Sequence, residues 1–295
     1  MKIGKLVSRS AWYILMTGLS LLSVYPIVFS LLAGFKRNED FTSINSILPI
    51  AGRHTLENYA GLLNSPGFIQ PLIHSVVRTM FFAVVLTCVC ALVGYVLERY
   101  EFPGKKLFFN YILVVQVVPW VLTLVPLYLV MARVPLAGGN NLLGAGGSGL
   151  IDNPALNCII ILPSNLLGIF LFRQSMKTLP RDFEEAAEID GCGFMRVIFQ
   201  LIIPLQMPIL IVIAITNALW AWTDFLVPYT YMNNSLNLTL SGAVGLMASA
   251  LLQFGDKQYA TLFALSTLTI IPSILIFLFF QKHIVQGLAS AGIKG

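Results

Sequence analysis

The residues best placed to do chemistry form one short acidic run, Glu184-Glu185-Ala186-Ala187-Glu188-Ile189-Asp190-Gly191. It is the most charge-dense stretch of a mostly apolar chain. Pro180 suits a first helical position, where its missing N–H costs nothing. Asp182, Glu184 and Glu185 then fall in or near the first turn, where the helix dipole favours negative charge. Gly191 and Gly193 stop or bend the helix, because glycine accepts backbone angles that other residues avoid. Phe183, Ala187, Asp190 and Gly191 share a stripe by helical spacing. Ala186 and Ala187 are small, so another surface can come close. The chemistry of such a run is recognition: a short amphipathic helix built to dock. A helix lying on lipid is the competing reading. Such helices combine Lys and Arg with bulky apolar residues, whereas this one is acidic.

Catalytic patterns are missing. Nucleotide hydrolysis needs a phosphate cradle such as G-x4-G-K-[S/T], and Gly104-Lys105-Lys106 lacks the first glycine and the hydroxyl. Gly144-Ala145-Gly146-Gly147-Ser148-Gly149 matches GxGxxG, but no strand precedes it and no helix opens from it. It reads as a flexible loop. There is no HExxH and no GxSxG, so no residue is assigned a catalytic role. His54, His74 and His283 are scattered, and Cys88, Cys90, Cys158 and Cys192 read as small apolar filler rather than metal ligands. No metal site is expected.

The elements that must position the acidic run are apolar. A soluble domain carries about 45–50% apolar and about 25% charged residues. This chain has 57% and 11%, with a mean hydropathy of +0.82. The expectation is an all-α integral membrane protein, a single domain over 1–295, with six transmembrane helices. Their approximate ranges are 11–35, 72–97, 107–131, 158–172, 201–222 and 259–280. Pro26 kinks the first, Pro119 and Pro126 lie inside the third, and Pro204 and Pro208 lie early in the fifth. Pro66 and Pro71 read as breakers before the second span, and 223–258 as the last long loop. No cleavable signal peptide is expected. Lys and Arg counts orient the chain. With a cytoplasmic N-terminus, twelve of the 18 fall on inner segments, which then carry the whole net charge of +5. Both termini and the acidic run at 179–200 lie inside, and nucleic acid is not needed to explain the basic balance. The span cores hold almost no ionisable groups, which disfavours a carrier driven by protons or sodium. Arg78, near the outer end of span two, reads as an interface anchor that snorkels.

Glu185-Ala186-Ala187, three residues, Gly191, nine residues, then Leu201-Ile202-Ile203-Pro204 resembles the EAA loop of ABC importer permeases. That signature reads Glu-Ala-Ala-x3-Gly-x9-Ile-x-Leu-Pro. Leu201 and Ile203 depart from it and keep apolar side chains of the same size. The run Leu179–Pro204 and the ending Gly292-Ile293-Lys294-Gly295 resemble the maltose-type, carbohydrate-importing branch.

The resemblance implies a non-catalytic subunit in a bacterial inner membrane, pairing with a second, similar permease. Two ATP-binding subunits would carry ATP and Mg, and this chain would hold no cofactor. An extracytoplasmic solute-binding protein would deliver the sugar. Glu185, Ala186, Ala187 and Gly191 would be the coupling residues, with Phe183, Glu184, Ile189 and Asp190 beside them. Ser290, Gly292, Lys294 and Gly295 would reach the ATPase dimer, unless the terminus is simply frayed. The loop Tyr229–Asp256 would meet the binding protein or serve as a plain connector. Sugars are held by aromatic faces and amides, so Gln116, Trp120, Asn217, Trp220, Trp222 and Asp224 are candidates for the substrate path. Tryptophan also gathers at bilayer interfaces, which is the alternative for each. Two other classes compete, a secondary carrier or channel and a membrane-embedded enzyme.

Overall fold

Proline placement accounts for the start of one helix and for two sharp breaks, while Pro26, Pro71 and Pro272 lie inside helices. A computed structural model describes residues 2–42, 54–155, 165–254 and 258–292. Among these, every regular element is helical. The principal helices are α1 (Lys2–Ala33), α2 (Glu57–Leu63), α3 (Pro66–Phe81), α4 (Thr87–Arg99), α5 (Lys105–Val115), α6 (Leu124–Ala132) and α7 (Leu166–Met176). They continue with α8 (Asp182–Ile189), α9 (Met207–Thr223), α10 (Leu226–Tyr231), α11 (Leu240–Phe254) and α12 (Tyr259–Gly292). A π-helical turn, Phe82–Leu86, joins α3 to α4, and a second, Val197–Ile202, lies within the segment Phe194–Leu205 before α9.

Among the described residues, three helical stretches are long and apolar enough to cross a membrane: Trp12–Ala33, Pro66–Arg99 and Tyr259–Lys282. Two bent pairs bring the number to five if each is one broken span. Lys105–Val115 and Trp120–Ala132 meet at 97°, and Phe194–Leu205 and Met207–Thr223 meet at 85°. The first break sits at Pro119, the second between Pro204 and Pro208. Proline lacks an N–H and its ring crowds the preceding turn. The expected third and fifth spans are therefore bent rather than continuous. Helix α7 is the described part of the expected fourth span; residues 158–164 lie outside the described residues.

Two further expectations are corrected. Pro66 does not break the chain but starts α3, as proline at a first helical position can, and Pro71 lies inside that helix. The stretch after Asp224 is not irregular: it forms α10 and α11. Residues 240–251 are rich in Leu, Ala, Val and Met with no interior proline, which favours helix.

The chain divides into two units, Met1–Ile69 with Val244–Ile271, and Gln70–Ala243 with Pro272–Gly295. In the first, the end of α1 packs through aromatic rings: Phe29 meets Phe263 edge-on at 5.4 Å, and Phe41 stacks on Phe263 at 5.7 Å. Tyr59 donates to the Leu31 carbonyl, and Asn58 to those of Gly34 and Lys36. In the second, Phe82, Cys90, Ala91 and Tyr95 pack on Phe172 and Met176 of α7 and on Val212 and Ile213 of α9. Gly94 lets α4 and α7 touch: a Cβ there would lie 3.0 Å from the Phe172 ring and 3.1 Å from the Ile169 carbonyl. Small residues at such contacts are how helices approach closely in membranes.

Candidate functional site

The acidic run folds as expected into a helix with a defined stop. The N–H of Gly191 bonds the Glu188 carbonyl at 3.0 Å, and that of Cys192 bonds the Ala187 carbonyl at 2.9 Å. Gly191 has φ +79. This pair of bonds with a left-handed glycine is a Schellman stop. Ala187 and Cys192 pack against the core of the second unit, which fixes the helix by its short inner face. Outward, Phe183 is 48% and Ile189 86% exposed, and Glu185, Ala186, Asp190 and Gly191 are exposed beside them. A Cβ on Gly191 would meet nothing within 4 Å.

Glu184 differs from its neighbours. It is 8% exposed, and its carboxylate turns inward. Oε1 accepts from Arg99 Nε at 2.5 Å and Oε2 from the Tyr95 hydroxyl at 2.8 Å. Arg99 also donates to the Leu179 carbonyl at 2.9 Å. Arg181 donates back to the Arg99 carbonyl at 3.5 Å. Nearby, Arg173 bonds Glu98 at 3.1 Å and lies over the Phe109 ring. The Lys105 ammonium, 2.8 Å from Glu101, holds that carboxyl below the usual carboxylate range, with Arg181 and Lys106 adding to the effect. Tyr95 and Arg99 are four residues apart and so share a helix face; that spacing is the sequence signal that could have found them.

The candidate path residues fall into separate settings, with Trp120, Trp220 and Asp224 linked around Arg78. Gln116 is exposed at the α5–α6 break. Trp120 meets Trp220 edge-on at 6.2 Å, and Trp220 lies 5.4 Å from the Phe82 ring. Arg78 sits over both Phe82 and Trp220 and pairs with Asp224 at 2.5 Å. Arg78 is 1% exposed, so it does not snorkel: it is a buried cation with a carboxylate at hand. Asp224 also receives the backbone N–H groups of Leu226 and Val227, starting α10. Trp222 is buried, its carbonyl accepting from Ser241. Asn217 is buried between Thr87 and Asn165 and bonds both. Asn165 also accepts from the Gly168 N–H as the cap of α7, an Asn-before-apolar-run signal visible in the sequence.

The Gly-rich stretch is a loop, as expected, and it is held by hydrogen bonds. Asn140 donates to Ala132 and Val134 and accepts from Gly147, and Asn141 accepts from Leu143 and Ala145. The loop is tied to 233–237 through Asp152, whose Oδ1 accepts from the N–H groups of Asn233 and Asn234 and from the Asn237 amide. Nothing in the sequence signals this tie. Among the described residues no group of His, Cys, Asp or Glu could hold a metal. Ser290 and Gly292 lie on the last turns of α12; Lys294 and Gly295 fall outside the described residues.

Residues 83–290 match the family of binding-protein-dependent transport system inner membrane components. The chain belongs to that family. The matched range covers the α8 segment, both bent pairs and the long last helix. As a member, the protein is a multi-pass inner-membrane component of a transport system. It is similar to the arabinooligosaccharides transport system permease protein AraQ of Bacillus subtilis, 30% identical over 98% of this chain and 97% of that one. It is also similar to the AraQ protein of Halalkalibacterium halodurans, 29% identical over 94% and 93%. In fold it resembles a chain of a bacterial ABC transporter involved in the import of the acidic polysaccharide alginate. That match has a TM-score of 0.74 at 20% identity over 94% of this chain and 96% of that chain.

Proposed function

We propose that this chain is one of two permease subunits of an ATP-driven, binding-protein-dependent ABC importer for an oligosaccharide or related carbohydrate. The observation that carries the reading is α8: a short helix, rigidly stopped at Gly191, with its inner side fixed and Phe183, Glu185, Ala186 and Ile189 left facing out. A face of that kind fits a cleft on an ATP-hydrolysing subunit. Glu185, Ala186 and Gly191 couple, Phe183, Ile189 and Asp190 extend the contact, and Ala187, which the resemblance also assigns to coupling, holds the helix from its inner side. The carbohydrate assignment rests on relatives named for arabinooligosaccharides, maltodextrin and diacetylchitobiose.

In this reading the two bent pairs are single spans and α7 marks another, giving six. The N-terminus, α8 and the C-terminal tail face the cytoplasm, following the Lys and Arg distribution. The Asp152-tied loops and the region from Tyr229 face outward, towards a solute-binding protein. ATP and Mg sit on two partner subunits, and this chain carries neither a catalytic residue nor a cofactor. Contact of the C-terminus with the ATPase pair falls to Ser290, Gly292, Lys294 and Gly295, as the resemblance implies. Trp120 and Trp220 supply aromatic faces to the sugar path. Arg78 and Asp224 neutralise one another in burial, which is the arrangement of a structural pair rather than of a proton relay.

The test is purification of tagged chain from its native membrane, with and without Glu185→Lys. The wild type brings down a second permease and an ATP-hydrolysing subunit. Charge reversal on the outward face lowers recovery of the ATP-hydrolysing subunit about tenfold and leaves the second permease in place. A chain that comes down alone, or a variant that keeps its ATP-hydrolysing partner, contradicts the reading.

A further inference from the structure

The outward side of α8 explains how a partner could be engaged, but not how its motion would reach the membrane. The inward side offers a route. The run into α8 and its first turn, Leu179 to Glu184, are held at three points by the last turn of α4. Arg99 bonds the Leu179 carbonyl and the Glu184 carboxylate, and Tyr95 bonds the other carboxylate oxygen. Arg181 closes the ring onto the Arg99 carbonyl. Aromatic rings bracket the site: Tyr95, Tyr100 and Phe194 lie 6.0–6.2 Å apart, and Phe194 begins the segment that leads into α9. Arg99 and Glu184 side chains are 8% and 10% exposed. A desolvated arginine that bonds a carboxylate and a backbone carbonyl at once holds geometry more tightly than a surface pair does.

Helix α4 is in turn the inner end of one long helix. Arg78 lies 21 positions before Arg99, about 32 Å of helical rise, which matches the hydrocarbon thickness of a bilayer. At that far point the helix is held again, by the buried pair of Arg78 with Asp224 at the end of α9. The π turn at Phe82–Leu86 lies between the two anchors. Such turns are rare and are found mostly as single-turn bulges at functional positions.

We propose that the Glu184–Arg99–Tyr95 cluster is the clamp that passes displacement of α8 to the second span, with Arg99 and Glu184 as positioning residues that do not themselves touch the ATPase. This rests on the coupling reading of α8 given above. It separates two neighbouring glutamates: Glu185 engages the partner, and Glu184 transmits.

The test uses the complete transporter in proteoliposomes, with its own second permease, ATP-hydrolysing subunits and loaded binding protein. Two quantities are read, the amount of ATP-hydrolysing subunit retained and the solute moved per ATP hydrolysed. Glu184→Gln retains the subunit and lowers solute per ATP about tenfold. The charge exchange Glu184→Arg with Arg99→Glu restores part of that ratio, which a merely destabilised chain would not do. Should Glu184→Gln fail to accumulate, Arg99→Lys, which keeps the charge and loses the fork, is read the same way. A normal ratio in the accumulating variant overturns the clamp. Loss of the ATP-hydrolysing subunit also overturns it, because Glu184 would then be a contact residue, while the coupling reading survives. If Glu185→Lys retains the subunit, the coupling reading itself fails.

Discussion

Asp224→Ala is expected to destabilise the folded chain by roughly 3–5 kcal/mol, the cost of leaving a buried cation without its partner. Arg78 is 1% exposed and sits over the Phe82 and Trp220 rings. Ring faces attract a cation but do not replace a carboxylate at 2.5 Å. The same change removes the acceptor that receives the Leu226 and Val227 N–H groups, so the start of α10 loosens too. Alanine at 224 therefore acts at the α9–α10 joint and at the second span together. Replacing both charges, Arg78→Met with Asp224→Leu, removes the desolvation cost along with the attraction. It is expected to recover most of the loss, apart from the α10 cap. Thermal unfolding in detergent, with membrane accumulation as a second readout, checks both. A single variant as stable as the wild type, or a double variant no better than the single, contradicts this account of the pair.

Gly149→Val is expected to cost about 3 kcal/mol and to be felt mainly in the loop that follows α6. Two effects add. Gly149 has φ +61, a region that costs an ordinary residue about 1–2 kcal/mol and a β-branched one more. Its Cβ would also lie 2.3 Å from the Met131 carbonyl oxygen and 2.5 Å from that of Ala132. Both are backbone atoms that cannot swing aside. The loop must open, and it carries Asp152, which holds the segment 233–237. Proteolysis of the intact protein from the side bearing this loop should therefore show cleavage within 133–155 in Gly149→Val and little in the wild type. Equal protection in both would mean that the glycine packing does not hold the loop.

The helical, membrane-embedded nature of the chain was legible in the sequence because it rests on composition and on long apolar runs, which every residue in a span repeats. The acidic run was legible for a related reason: an acidic first turn and a glycine stop are local signals within a dozen residues, and each acts through the backbone there, although Pro180 stands two residues before the helix rather than at its first position. The bends at Pro119 and near Pro208 were visible as prolines but not as right-angle turns, because the depth of a proline kink depends on neighbouring packing. What escaped were the long-range partners. Arg78 and Asp224 are 146 positions apart, and Arg99 and Glu184 are 85 apart. A lone arginine near a span end reads equally well as a snorkelling anchor, and only the fold brings a carboxylate to it. The Gly-rich stretch was legible as a loop but not in its packing. Its glycines read as freedom, and Gly138, Gly147 and Gly149 are also needed so that backbone can lie against backbone.

The most direct test of the central claim is uptake into proteoliposomes holding this chain, its second permease and the ATP-hydrolysing subunits. Labelled oligosaccharide is offered with its solute-binding protein and ATP. Uptake is expected to require ATP and the binding protein together and to be lost in Glu185→Lys. Uptake by this chain without ATP or the other subunits would contradict it and point instead to a secondary carrier.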